Sequence, residues 1–464
     1  MPHNKSTPAW LVPLIKANFV NEDGFLSRTY PPSTRTIFDN FDDVVPFLLH
    51  FGEADFLLDQ TRRLDEHSFE KLLPIGNILY AYKIDEYLGG LNAIYRATGD
   101  EHTKRLLIDA SHKCLHYFFG ANDHFAEFYD FRTETASPHF SPWSAGLLET
   151  FLEITDIVPE LDGVTERVMR RWLSHTYTQN TGLFPFRASF RVGAEILSTI
   201  SARLGLWCGE VPVIPDYGQN PKDPGLKAAL KRNPIIYGLR RVLYAIGSGH
   251  WSQLMKSNTT PAFTLIALFA KTNDECWKDP LKRWVSAVRA YMVKSNGVHG
   301  HYHPNRQSGP ASLVDGFILM DVLCDMFFHV EQDESLLNTA AEIGETCLKW
   351  RWDNGLIPMT PDAPHDHLDG QLDFSIALRR VGELAQRADL MDASRTLMKI
   401  AYDLHYTQKG LCTHVNARGE PIQLPLNTID PKYNGLALKG MIHLETFEQN
   451  MYGNSTLMDL FKDR

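Results

Sequence analysis

The chain has 464 residues, 44% of them hydrophobic and 22% charged, with a formal net charge of −10. That length can bury a large core, and the composition is that of a globular protein rather than a disordered or fibrous one. The acidic balance and the lack of a long basic run argue against nucleic acid or an anionic membrane as the main partner, while leaving room for a local Arg or Lys cluster that holds an anionic substrate.

In chain order, residues 1–37 read as an N-terminal arm punctuated by Pro31 and Pro32. Asp39 to Leu58 reads as helix. Helix pairs follow at 78–98 with 101–119, 141–155 with 164–178, 259–272 with 278–293, 310–330 with 334–350, and 366–387 with 390–405, and a last helix lies near 433–449. Apolar residues recur at helical spacing in these runs, as in Leu147, Leu148, Phe151, Leu152 and Ile154. Residues 207–256 break the rhythm with Pro212, Pro215, Pro221, Pro224 and Pro234, and read as a loop and helix insertion: a lid, an oligomer contact or decoration. Without a linker, 38–464 is expected to be one all-α domain.

Six cysteines form no C-x-x-C pair, so neither a zinc ribbon nor a redox motif is indicated. Cys114, Cys324 and Cys347 sit in apolar helical runs and read as buried free thiols of a reducing compartment. The chain opens without a basic region followed by a long apolar one, and no segment is apolar for long enough to span a bilayer. The expectation is a soluble cytoplasmic protein, with a homo-oligomer left open.

A turn signal recurs along the chain, at Asp23-Gly24-Phe25, Thr181-Gly182-Leu183, Asn296-Gly297-Val298, Asn354-Gly355-Leu356 and Lys409-Gly410-Leu411. The spacings 355 − 297 = 58 and 410 − 355 = 55 define a period, and 297 − 182 = 115 is twice it. A period in this range marks a repeated supersecondary unit. Connectors without the turn, such as Gln332-Asp333-Glu334, are tight and polar. Those with it are long and rich in aromatic, His and charged residues, so function is sought beside the Gly turns, where short β-hairpins would explain the flanking strand-like pieces.

Ser141-Pro142-Trp143-Ser144-Ala145-Gly146, running into apolar helix, resembles the tryptophan-initiated inner helix of the six-hairpin glycosidase-like superfamily. Leu313-Val314-Asp315-Gly316-Phe317 loosely resembles a helix opening in its epimerases. That superfamily includes unsaturated glucuronyl hydrolases, sugar 2-epimerases, glucuronate C5-epimerases and toroidal polysaccharide lyases. As architecture the resemblance covers about 40 to 450. It implies an (α/α)6-7 toroid, a sugar or oligosaccharide held in the funnel at one end, and neither cofactor nor metal.

Four clusters carry candidate chemistry. Glu127-Phe128-Tyr129-Asp130-Phe131-Arg132 leads towards Trp143, and in an extended segment Glu127 and Tyr129 share one face while Asp130 and Arg132 share the other. His299-Gly300-His301-Tyr302-His303 would align three imidazoles on one face of a strand, a zinc-competent geometry, although no fourth ligand adjoins. His365-Asp366-His367-Leu368-Asp369 opens a helix, where Asp366 or Asp369 could equally be a cap. Asp42 and Asp43 follow Tyr30 and Arg35, and like-charge repulsion could raise the pKa of one of the two. Asn258, Asp315, Tyr433 and Asn434 open other expected inner helices, and Arg187 and Arg306 would pair with a substrate carboxylate.

Glycoside hydrolysis needs two carboxyl groups, whereas epimerisation or elimination needs a His or Tyr acid and base. The leading expectation is a carbohydrate-active enzyme on a uronate-type oligosaccharide or sugar. It would hydrolyse with Asp42, Asp43, Glu127, Asp130 or Asp315, or work as an epimerase or lyase through His301, His303 or His367. The expected substrate contacts are Tyr30, Arg35, Tyr129, Arg132, Trp143, Arg187, Asn258, His299, Arg306, His365, Tyr433 and Asn434. A helical-repeat binding protein without catalysis is the third reading.

Overall fold

A computed structural model describes residues 11–120, 123–137, 139–176, 182–184, 188–189, 252–302 and 310–422, with 432, 434–435 and 437–440. The expected Arg187, His303, Arg306 and Tyr433 lie outside the described residues, as does most of the 207–256 insertion. Helices α1 (Leu11–Phe19), α2 (Val45–His50), α3 (Ala54–Arg62) and α4 (Ser68–Leu72) precede five longer hairpins. These are α5 (Ala81–Thr98) with α6 (Glu101–Phe118), α7 (Ala145–Glu153) with α8 (Val164–Thr176), α9 (Thr260–Thr272) with α10 (Lys278–Tyr291), α11 (Leu313–Asp325) with α12 (Glu334–Leu348), and α13 (Leu368–Leu384) with α14 (Ala388–His405).

The hairpins fall where the apolar periodicity puts them. Two local expectations change. The arm contains α1, which buries Leu11, Val12, Ile15 and Phe19 and carries Pro13 in its first turn, where the missing N–H costs no helical bond. The helix expected over Asp39 to Leu58 divides into the turn Ile37–Asn40, α2 and α3, because Gly52, with φ of +80°, ends α2 in a left-handed conformation.

Neighbouring first helices pack side by side, α5 on α7, α7 on α9 and α11 on α13, with the second helix of each pair outside. Residues 434–435 and 437–440 continue this inner layer. Tyr402 Oη donates to the Ala437 carbonyl at 2.6 Å, and Gly435 lies against the Asp43 backbone and Val44. The 37–50 segment then packs on α5 and completes the circuit. One continuous apolar core lies between the inner and outer layers. Cys114, Cys324 and Cys347 are buried free thiols in it.

The tight polar connectors are caps of the outer helices: Asp100 accepts from the Thr103 N–H, and Asp333 from the Ser335 N–H. At the other end sit the Gly turns, and all five glycines have positive φ. Two close β-hairpins, 293–294 with 297–298 and 406–407 with 410–411. A side chain at Gly297 would strike Trp350, and one at Gly355 would strike Ile400 of α14. Each of these turns is therefore seated on the outer wall of the following unit.

Amide side chains fasten the strand after the turn. Asn258 Oδ1 accepts from the Phe184 N–H at 2.9 Å and the Trp284 Nε1–H at 3.1 Å, while its Nδ2 donates to the Phe184 carbonyl at 3.3 Å. Gln371 grips the Ile357 N–H and carbonyl in the same way. Asn434 Oδ1 accepts from the Leu411 N–H at 3.0 Å, and Gln60 holds the Leu26 N–H and the Gly24 carbonyl.

Candidate functional site

Each inner helix is buried on most sides yet keeps a partly accessible stripe at three- and four-residue spacing. In α5 the stripe is Tyr82, Asp85, Glu86 and Gly89, and in α7 it is Gly146, Glu149 and Glu153, extending back to Trp143. In α11 it runs through Asp315, Ile318 and Asp321, in α13 through Asp369, Asp373 and Arg380, and in the closing segment through Lys432 and Lys439. A face that is neither core nor outer surface lines the interior of the ring. It is unusually acidic: with Asp42 and Asp43 it holds ten carboxyl groups against Arg380, Lys432 and Lys439.

The tightest grouping is Asp42, Asp43 and Glu86, each offering one oxygen within 4.8 Å of the others. The Asp42 N–H donates to the Glu86 carbonyl at 3.2 Å, which ties the loop after Ile37–Asn40 to α5. Lys432 Nζ lies 3.0 Å from Asp43 Oδ2. Asn40 Nδ2 donates to Glu86 and, at 3.4 Å, to Asp43. Glycines give the acids space. A side chain at Gly146 would strike the Asp85 carboxylate, and one at Gly300 would strike that of Asp315.

Crowding of like charge away from bulk water favours the protonated forms. Burial, then the Asp43 carboxylate, pushes Asp42 up to about 7. Burial and the neighbouring acids hold Asp85, Glu86 and Glu149 well above the carboxylate range, and Glu153 reaches about 8. Asp373 rises to about 8 through burial, against the pull of Lys439. Asp321 rises only to about 6, since the Arg380 guanidinium opposes its burial. Arg380 also binds the buried Asp325.

Beside this interior stands an imidazole group. The His414 ring lies 4.5 Å from that of His367 and 5.2 Å from that of His365, both edge to face. Burial, then the neighbouring His367 and His365, lowers His414 to about 4, and burial lowers His367. Both imidazoles are therefore neutral at physiological pH. Beneath them Asp366 is fully buried and joined to His405 Nε2 at 2.8 Å. Its other oxygen accepts from the Val415 N–H at 2.9 Å. Asp366 is thus a buried ion-pair partner and caps no helix: the residue at the cap of α13 is His367, which makes no side-chain cap bond.

The other expected residues are dispersed. Asn258 and Asn434 are fully buried and serve as the amide clamps, which corrects the expectation that they contact substrate. Glu127 is buried below the start of α5, its carbonyl accepting from the Ala81 N–H. Tyr129 packs on Tyr117 and Phe131. Asp130 lies in a strand paired with Ile78 and accepts from the Arg132 N–H at 2.9 Å, while the Arg132 side chain is 61% exposed. Arg35 is turned to Asp39 at 3.4 Å, and Tyr30 packs on Phe19 under Lys409. His299 holds the Asn296 side chain at 2.8 Å, and His301 is paired in a strand with Gln253. Trp143 lies on the accessible stripe and stacks on Tyr82 at 3.9 Å with a 6° interplanar angle. Asp85, Glu86, Glu149, Glu153, Asp321, Asp373, Lys432 and Lys439 were not expected from the sequence, whereas Asp369 belongs to the His365–Asp369 cluster that was. Their signal is an acid repeated at i and i+4 inside apolar helices: 149 and 153, 321 and 325, 369 and 373.

No protein-family model matches the chain, and no curated protein does. Solved structures do. An α-1,2-mannosidase from Trichoderma reesei superposes with a TM-score of 0.64 at 9% identity, over 94% of this chain and 93% of that one. A D-mannose isomerase gives 0.56 at 10% identity, over 96% and 97%. The cellobiose 2-epimerase of Spirochaeta thermophila gives 0.54 at 10% identity, over 81% and 88%. The chain is an (α/α) toroid. Its acidic interior is the lumen of that toroid, and the Gly turns stand at the end where the inner helices begin. Among the described residues, no helix is long and apolar enough to cross a membrane.

Proposed function

We propose that this toroid is a carbohydrate-active enzyme that hydrolyses glycosidic bonds in its lumen. The observation that carries the reading is the Asp42–Asp43 pair. Asp42 holds a proton up to about pH 7, and Lys432 Nζ stands 3.0 Å from Asp43 Oδ2. Asp42 protonates the leaving oxygen as general acid, and Asp43 attacks the anomeric carbon or activates water. Their oxygens lie within 4.8 Å, nearer the roughly 5 Å of an acid and nucleophile than the roughly 6.5–9.5 Å that accommodates a water. Retention of anomeric configuration is the expected outcome. Trp143 and Tyr82 offer a ring face to a pyranose at the mouth.

The uronate expected from the arginines fits this lumen poorly. Arg132 is exposed, Arg35 is committed to Asp39, and a further carboxylate would enter a field already dominated by carboxyl groups. A neutral or cationic glycan is the better fit. The test is a panel of neutral, amino and uronic glycosides assayed for released reducing ends, with the anomer of the first product read by proton NMR. Release from uronides alone would contradict the assignment.

The imidazole group favours a second reading, sugar isomerisation or epimerisation. His414 and His367, neutral and adjacent, could take and return a proton at a carbon beside a carbonyl. Deuterium uptake from solvent into a free sugar, without bond cleavage, would select it.

A further inference from the structure

We propose that Lys432 is a positioning residue for the hydrolysis, the group that assigns the roles of acid and nucleophile within the Asp42–Asp43 pair. This rests on the hydrolase reading and adds to it a residue outside the pair. Two adjacent carboxyl groups release their protons as a unit, and only their surroundings make one differ from the other. Here the difference is geometric. Lys432 Nζ stands 3.0 Å from Asp43 Oδ2, and Asn40 Nδ2 donates to Asp43 at 3.4 Å. Asp42 Oδ1 has no hydrogen-bond partner among the described residues. A cation favours the charged form of the acid it faces, which leaves the proton to the other. Other charged groups near the pair are Asp85 and Glu86 of α5, Glu153 of α7 and Asp373 of α13, the last with Lys439 at 3.9 Å. All four are acids, so positive charge comes to the pair from Lys432.

The same ammonium reaches the imidazole group. Burial lowers His367 first, and the Lys432 charge adds to that. One residue of the closing segment thus favours a charged acid on one side and a neutral imidazole on the other. The competing role is mechanical: the ion pair would clasp the closing segment to the 37–50 segment, beside Gly435 on the Asp43 backbone. The two roles differ in what they move. The Lys432 and Asp43 side chains are 21% and 25% exposed, so water reaches both, and a clasp of that kind adds little to stability. A unit charge beside a carboxyl group instead moves its titration by about one to three pH units, the lower end applying where water screens it.

Lys432→Gln and Lys432→Arg of the full chain separate them. On the glycosides that the wild type hydrolyses, the acid limb of kcat/KM is expected about one pH unit higher in Lys432→Gln, so that activity on that limb falls about tenfold. Lys432→Arg, which keeps the charge, should return the limb to its place. A mechanical clasp would lower the melting temperature of Lys432→Gln and leave the limb where it was, and that result overturns the inference. So does a limb that stays shifted in Lys432→Arg. Carbon-13 NMR of protein labelled at the aspartate carboxyl carbons asks the same question without turnover. The signal that is lost in Asp43→Asn should titrate about one pH unit higher in Lys432→Gln than in the wild type, and an unmoved signal counts against Lys432. If the wild type cleaves no glycoside yet that signal moves, the hydrolase reading falls and the control of the acid pair by Lys432 stands. If glycosides are cleaved and neither limb nor signal moves, the hydrolase reading stands and the inference falls.

Discussion

Two faces of the ring were built under different rules. The face where the inner helices begin carries the Gly turns and their amide clamps, and there the Asn258, Gln371, Asn434 and Gln60 side chains each bond to backbone groups. At Asn258, one side chain satisfies a backbone N–H, a backbone carbonyl and an indole N–H. The lumen stripe reverses this. Its acids face one another, and among the described residues Asp42 Oδ1 has no hydrogen-bond partner. A repeat that recurs in sequence is a packing solution reused unit by unit, whereas unsatisfied, crowded acids persist only where a ligand or a reaction requires them.

The contrast gives separable expectations. The largest effect belongs to the lumen. Asp42→Asn should lower kcat by about 10²–10⁴, the range for a general acid, with the melting temperature unchanged or raised because a crowded acid is removed. Equal activity would remove Asp42 from the mechanism. The converse experiment is Asn258→Ala, which should leave specific activity of the folded protein near wild type but cost about 1–3 kcal/mol per stranded buried group in chemical denaturation. Gly355→Ala should cost about 1–3 kcal/mol through its φ of +93° and the contact with Ile400, again with little change in kcat. A loss of kcat larger than the loss of folded protein in either clamp or turn variant would erase the distinction.

The pH response offers a subtler separation. Asp42 is raised to about 7, and Glu153 and Asp373 to about 8, so from pH 4 upward the folded state holds more protons than the unfolded chain. Stability from these groups is present at low pH and is lost as pH rises through 7 and 8. His405, raised to about 10 because Asp366 outweighs its burial, adds stability that is full below its unfolded value and lost only as pH approaches 10. Melting temperature should therefore fall between pH 5 and pH 8, and the fall should shrink in Asp373→Asn. A rise over that interval would contradict the crowding of lumen acids. The smallest effect is expected from Trp143→Ala, a several-fold rise in KM with kcat nearly kept, since the ring offers a stacking surface and no proton.

Much of the fold was legible in the chain. Helix pairs follow from apolar spacing, and the turn at Gly297 or Gly355 is a backbone requirement that sequence must declare. The site was legible only in part. Asp42 and Asp43 stood out because they are adjacent, and His365 and His367 because they alternate. Glu86, Glu149 and Asp373 did not, because an acid inside an apolar helix acquires meaning only when the other inner helices turn a stripe towards it. Asn258 and Asn434 misled for the opposite reason: an amide at the opening of an inner helix looks like a ligand contact, yet its partners are backbone groups from the preceding turn. His414 was missed because it meets His367 only through the strap that His405 and Asp366 hold in place.

The central claim is that lumen carboxyl groups cleave a glycosidic bond. Incubating the wild-type protein with the glycoside panel in ¹⁸O-labelled water, beside Asp42→Asn, tests it directly by mass spectrometry of the released sugar. The account predicts the label at the anomeric oxygen of a neutral or amino sugar, with formation reduced by at least about a hundredfold in the variant. Glycosides left uncleaved and unlabelled, or labelling at full rate in Asp42→Asn, would contradict it.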